Sequence, residues 1–198
     1  MVSNLRLFIM GLALILLTNI AQADIVRVYY DFEITDRQVF AVKNYLDGEL
    51  KAGDTLLFYI CSPGGSVTAS ISLYDYLVNL RSMDIKVYTI ASGMAYSGGS
   101  VLLQAGQKRY ITPSTMVMVH PAYCHFNNWF DEFLYKLSGN DEALVKTNII
   151  LTVLYVAKTG KSIEEVRKDM SKDTWMYSWE AIEKGYADGL WEGEHNIK

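Results

Sequence analysis

Apolar positions follow two rhythms along this chain. Short continuous runs of β-branched and aromatic residues predict strands, and runs with apolar residues every three or four positions predict helices. Ile25 to Tyr30 is the first strand. Thr35-Asp36-Arg37-Gln38 then carries a capping signature, with Thr35 at the N-cap and Gln38 reaching back. The helix it opens puts Val39, Val42, Tyr45 and Leu46 on one face and breaks at Gly53-Asp54. Leu56 to Cys61 is uninterruptedly apolar, as expected of a strand covered on both sides. Ser62-Pro63-Gly64-Gly65 is a turn, followed by a helix from about Val67 to Leu80 with Ile71, Leu73, Tyr74 and Leu77 inward. Ile85 to Ile90 is the next strand, and Gly93, Gly98 and Gly99 frame a tight turn before a short helix, Ser100 to Ala105. Arg109 to Thr112 and Met116 to His120 are two further strands. Helices are then expected over Trp129 to Leu137, Asp141 to Lys158 and Ser162 to Met170, with Ser178 capping a last one that ends near Gly185. Strands alternating with helices predict one α/β domain over residues 24–198, built on a largely parallel sheet with flanking helices.

Residues 1–23 do not fit this rhythm. Arg6, the apolar run Leu7 to Leu17 and the sequence Ala21-Gln22-Ala23 have the layout of a secretory signal peptide. The run of roughly 11 residues is short of the ~20 that a spanning helix needs. The expected location is therefore exported, periplasmic or secreted, with the mature chain starting at Asp24. A leader left uncut as a membrane tether, or a cytoplasmic protein, are the alternatives. Composition narrows the picture further. A net charge of −4 argues against a backbone-tracking nucleic-acid binder. Hydrophobic residues at 51% against 20% charged exclude a disordered chain. With only Cys61 and Cys124, no disulfide scaffold is expected; the two could pair in an oxidising compartment, but buried small side chains are the simpler expectation.

Three places carry unusual chemistry. Ser62-Pro63-Gly64-Gly65-Ser66 joins a buried strand to a helix, and its paired glycines allow close approach of a ligand to free N–H groups. It lacks both the Gly-Lys-Ser/Thr ending of a phosphate loop and a G-x-G-x-x-G fingerprint. Gly93-Met94-Ala95-Tyr96-Ser97-Gly98-Gly99-Ser100 sets a serine among small neighbours at another strand-to-helix turn, the backbone an exposed nucleophile requires. The alternative role for Ser97 is a plain N-cap, and Ser66 and Ser100 are rival hydroxyls. Third, His120 closes a strand, where parallel sheets present their sites. With Cys124 and His125 it has no recognised metal spacing, so no metal is expected. Serine and histidine together make a nucleophile and its base, and an acid must orient the imidazole. Asp131, Asp141, Asp169, Asp173 and Asp188 are candidates between which periodicity cannot choose.

These motifs resemble those of the Clp protease proteolytic subunit, ClpP, a serine endopeptidase of the crotonase-like superfamily. The resemblance runs from about Arg27 to Gly189. Tyr59 to Ala69 matches the family's Ser-Pro-Gly-Gly segment and following helix, and Gly93 to Gly99 its G-x-A-x-S-x-G turn, with Ser97 in the nucleophile's place. Pro113-Ser114 and Val117 to His120 match the strand bearing its histidine; Lys172 to Ala181 and Gly185 to Asp188 match its closing block, with Asp173 in the acid's place. The resemblance implies a ClpP/crotonase-like fold with a long handle-type helix. It implies a Ser97–His120–Asp173 triad, an oxyanion hole from the backbone N–H groups of Gly65 and Gly98, no cofactor, peptide or unfolded-protein substrates and a homo-oligomeric ring.

The chain also departs from the family. Pro121-Ala122-Tyr123-Cys124-His125-Phe126 replaces the Gln-Pro and glycine-rich strand that usually follow the histidine, which puts ring stacking in question. Only Asp24-Ile25-Val26 precede the first matched strand of the mature chain, leaving little to form the axial loops at which an AAA+ ATPase docks. An exported copy would act on small or unfolded peptides without ATP-driven unfolding. Two other readings remain open: a signal-peptide-peptidase-like hydrolase with a Ser–Lys pair, using Lys108, Lys136 or Lys146, and a catalytically silent ring subunit.

Overall fold

A computed structural model describes residues 23–124, 128, 131–132, 135–136, 138 and 140–197. The expected leader, His125 and most of the expected helix Trp129 to Leu137 lie outside the described residues.

The first half is a repeating strand–helix unit: β1 (Ile25–Tyr30), α1 (Asp36–Glu49), β2 (Thr55–Ser62), α2 (Val67–Asn79), β3 (Lys86–Tyr96) and α3 (Gly98–Leu103). β4 (Lys108–Ile111), β5 (Met116–Val119), α4 (Asn140–Thr159), α5 (Ile163–Met170), β6 (Thr174–Tyr177), α6 (Ser178–Glu183) and β7 (Gly189–Leu190) follow. The strands form one sheet, ordered β1-β2-β3-β4-β7, with β5 pairing β3 and β6 pairing β5. All pairings are parallel except β5–β6. The described residues thus have the α/β, largely parallel architecture expected, and α4 is the long helix.

β3 is the organising strand, and it runs six residues further than its apolar run suggested. Its first half, Tyr88 to Ala91, pairs with β4; its second half, Met94 to Tyr96, pairs with β5. Gly93, at φ 87°, lies between the two halves, and its N–H donates to Thr115 Oγ1 at 2.8 Å. On the other side, the pairing with β2 shifts register between Ile60 and Ser62. One strand therefore begins in the central sheet and ends beside a second group of strands, delivering Ser97 to the join.

Helix positions follow their apolar spacing, with local corrections. On α1, Val39 and Leu46 are buried and Val42 packs against the core, but Tyr45 is half exposed, because it falls at the edge of the buried stripe. Thr35 caps α1 by accepting from the Gln38 N–H at 3.4 Å; the Gln38 side chain meets the Thr35 hydroxyl rather than its backbone. The N-cap of α6 is Tyr177, not Ser178: the Ser178 hydroxyl is turned inward and donates to the Pro113 carbonyl at 2.8 Å, while Glu180 accepts from the Tyr177 N–H. Cys61 is half-buried and Cys124 exposed, both as free thiols, so only the first is close to the expected environment.

Candidate active site

Strand register brings the expected residues together. Ser97 follows the last residue of β3, and its N–H donates to the Met118 carbonyl of β5 at 2.9 Å. His120 follows the last residue of β5. β6 runs antiparallel to β5 with Val119 opposite Thr174, so one step further His120 faces Asp173. Residues opposite one another across such a ladder have Cβ atoms about 5 Å apart. Three chemically active side chains thus stand at the ends of three neighbouring strands.

The backbone at Ser97 is unusual. It adopts φ 52°, ψ −118°, outside the regions a serine normally occupies. Such a conformation costs on the order of 1–3 kcal/mol and persists only where its surroundings fix it. The surroundings are explicit. The Ser97 carbonyl accepts from the Ser100 N–H at 2.9 Å and from the Ser100 hydroxyl at 2.6 Å, and that hydroxyl also bonds the buried Tyr155 hydroxyl at 2.6 Å. From the opposite side, Gly64 approaches so closely that a Cβ there would stand 2.7 Å from the Ser97 Cβ and 2.8 Å from the Tyr96 carbonyl.

This arrangement separates the three rival hydroxyls. Ser66 is a working N-cap of α2, its Oγ accepting from the Ala69 N–H at 3.3 Å. Ser100 is buried and committed to Ser97 and Tyr155. Ser97 stands at the N-cap of α3, yet its side chain makes no capping bond. Its Oγ faces a cleft of about 490 Å³ whose lining also includes His120, Gly65, Gly98, Met118 and Glu33.

Gly65 and Gly98 line the same cleft as Ser97. Gly98 opens α3, where the first N–H has no partner within the helix. Gly65 lies in the turn held by Ile34: the Ile34 N–H donates to the Gly64 carbonyl at 2.7 Å, and the Ser66 N–H donates to the Ile34 carbonyl at 2.8 Å. Both glycines are sterically required. A Cβ on Gly65 would sit 2.3 Å from the Ile34 carbonyl oxygen, and one on Gly98 would sit 2.2 Å from Ser70 Oγ.

His120 is not an ordinary structural histidine. Its side chain is only 8% exposed, and its buried Nδ1 has no hydrogen-bond partner among the described residues. Nδ1 stands 3.9 Å from Asp173 Oδ1, which is an electrostatic contact rather than a hydrogen bond. Burial pushes the imidazole pKa below its ordinary value, and the Asp173 charge partly opposes this. The ring is therefore held toward the neutral form. The other acids are engaged elsewhere: Asp188 with Arg109, Asp169 with Lys161 and Tyr186, Asp131 with Asn128. Asp141 belongs to the first turn of α4.

None of the three candidate lysines lines the cleft. Lys136 and Lys146 pair with Glu132 and Glu142 on exposed helix faces, and Lys108 opens β4 at the surface. Ser100, a rival nucleophile in the sequence, proves to be a support for the Ser97 carbonyl, and its partner Tyr155 carried no signal there beyond ordinary core packing.

The Clp protease family model matches residues 20–194. This chain belongs to the Clp protease family. It is 34% identical over 161 residues to an ATP-dependent Clp protease proteolytic subunit of Chaetosphaeridium globosum, covering 80% of this chain and 76% of that protein. It is 31% identical over 139 residues to proteolytic subunit 2 of Tropheryma whipplei, covering 69% and 73%. Among solved structures, a ClpP1 variant from Listeria monocytogenes superposes with a TM-score of 0.72 at 22% identity, covering 88% of this chain and 94% of that one. That likeness is one of fold: the ClpP, crotonase-like arrangement.

Proposed function

We propose that this Clp-family protein is a serine endopeptidase in which Ser97 is the nucleophile, His120 the general base and Asp173 the group that orients the imidazole. The observation that carries this reading is the strand register, which aligns the ends of β3, β5 and β6. Ser97 Oγ attacks the scissile carbonyl as His120 takes its proton; His120 then returns a proton to the leaving amine, and water repeats the cycle on the acyl-enzyme. The N–H groups of Gly65 and Gly98 receive the developing oxyanion. Asp173 must close about 1 Å to hydrogen-bond Nδ1, and its side chain, 60% exposed, has room to turn.

A homo-oligomeric ring is supported by Val145, Ile149, Ile150 and Val153, four exposed apolar residues on α4. Export is supported by the layout of residues 1–23 alone. The chemistry uses no cofactor, and peptide cleavage needs no AAA+ ATPase.

The test is active-site labelling. A fluorophosphonate should label the wild type at Ser97, and Ser97→Ala should lose both the label and peptide cleavage while keeping its circular dichroism spectrum. A wild type that refuses the probe as monomer and as oligomer would point instead to a silent subunit.

A further inference from the structure

The proposed cleft has a charge pattern that the triad does not use. Its lining holds one carboxylate besides the catalytic groups, that of Glu33, and no lysine or arginine among the described residues. His120 is biased toward neutrality by its burial. The remaining lining includes apolar Val67, Val101, Met118 and Leu151.

Glu33 is also firmly placed. The carbonyl of Phe32 accepts from the Ser62 hydroxyl at 2.6 Å. Ile34, fully buried, is bonded on both sides to the Gly64–Ser66 turn. The residue between them therefore has little backbone freedom, while its side chain remains exposed on the cleft wall. No described hydrogen bond or ion pair occupies its carboxylate, whereas the Asp173 carboxylate stands 3.9 Å from His120 Nδ1. Glu33 and Gly65 line the same cleft, so a peptide held along Gly65 lies beside this carboxylate.

We infer that Glu33 is a specificity-determining residue that selects peptides carrying a lysine or arginine side chain close to the scissile bond. This rests on the peptidase reading above and adds a substrate class to it. The cationic end pairs with the Glu33 carboxylate while its methylene stem lies along the apolar wall. A partly exposed ion pair contributes roughly 0.2–1 kcal/mol, so the selection is graded rather than absolute, on the order of fivefold at its upper end.

The experiment uses three fluorogenic peptides that differ only in carrying Lys, norleucine or Glu, with that residue scanned through the two positions on each side of the cleaved bond. At low salt the wild type should show a Lys-over-norleucine ratio of kcat/KM of about fivefold at one of these positions, and glutamate should be the poorest. In Glu33→Gln that ratio should fall to about one, and in Glu33→Lys the order of Lys and Glu should reverse. Added salt should compress the wild-type ratio. Fluorophosphonate labelling of Ser97 with the same ratios in wild type and both variants would overturn this inference alone. No cleavage of any peptide together with no labelling would overturn the peptidase reading, and this inference with it.

Discussion

Ser97 shows how much a single residue's conformation depends on its neighbours. A serine at φ 52° is held by the Met118 carbonyl, by Ser100 and by the close approach of Gly64. Its free hydroxyl is what distinguishes it from Ser66, which has the same kind of position in the sequence but spends its oxygen on a cap. His120 is similarly defined by a buried Nδ1 that has no hydrogen-bond partner among the described residues. Because burial lowers its pKa, the acid limb of the pH profile for kcat/KM should fall below the ordinary histidine value of about 6.5, with activity lost as pH drops through that limb and the base protonates. Asp173→Asn removes the opposing charge, so its limb should move further toward acid, while kcat falls by roughly 10³–10⁴ because the imidazole loses its orienting partner. An unchanged limb in that variant would show that Asp173 does not sense His120.

At the level of elements, the Gly64-Gly65 turn and the β5–β6 pair do the positioning. Gly65 allows Ile34 to bridge across to the turn, so Gly65→Ala should be costly: the new Cβ meets backbone 2.3 Å away at φ 145°. A loss of about 3 kcal/mol or more is expected in urea unfolding, together with loss of labelling. The elements themselves were unevenly legible. β1, α1, β2 and α2 are long, periodic and punctuated by glycine or capping residues, and the structure follows them closely. The second half of β3 was hidden because Gly93 interrupts its apolar run, although the strand continues through it. β6 was missed because it has four residues, of which only Met176 is buried, so its sequence carries almost no alternation between core and solvent. That omission is why spacing alone could not pick Asp173 from five acids. Its opposition to His120 exists only in the pairing of two strands more than fifty residues apart. Ser97 was readable from the glycines and small residues around it and His120 because it directly follows an apolar strand; Glu33 was not, since nothing local marks an acidic loop residue as part of a cleft.

Across the whole molecule, the C-terminal segment locks onto the central sheet through one partly buried cluster. Arg109, on β4, donates to Asp188 from its backbone N–H and its guanidinium, and also to Gln104 Oε1 and the Gly185 carbonyl. Burial alone would raise the Asp188 pKa, but these hydrogen bonds and the Arg109 charge outweigh it and hold the carboxyl below its ordinary value. A carboxylate with a depressed folded pKa stabilises the fold above its unfolded pKa and ceases to do so as pH falls through the folded value. Asp188→Asn should therefore lower unfolding stability by about 2 kcal/mol at pH 7, less than a fully buried pair would lose because Asp188 is partly exposed, and the gap to wild type should close in acid, once pH has fallen through the depressed folded pKa. Denaturant titrations at the two pH values measure it; an equal gap at both would mean that the carboxyl's charge has no part in anchoring β7.

The antiparallel pairing of β5 with β6 turns two aromatic side chains to the outer face of the ribbon. Main-chain bonds, not side-chain fit, carry the alignment of His120 with Asp173, and both Trp175 and Tyr177 on that same strand look outward. Each ring nevertheless has a neighbour: Trp175 meets Tyr96, the residue before Ser97, edge-on at 4.9 Å, and Tyr177 stacks on Trp179 at 4.6 Å, so a change on the outer face of the ribbon is felt at the end of β3.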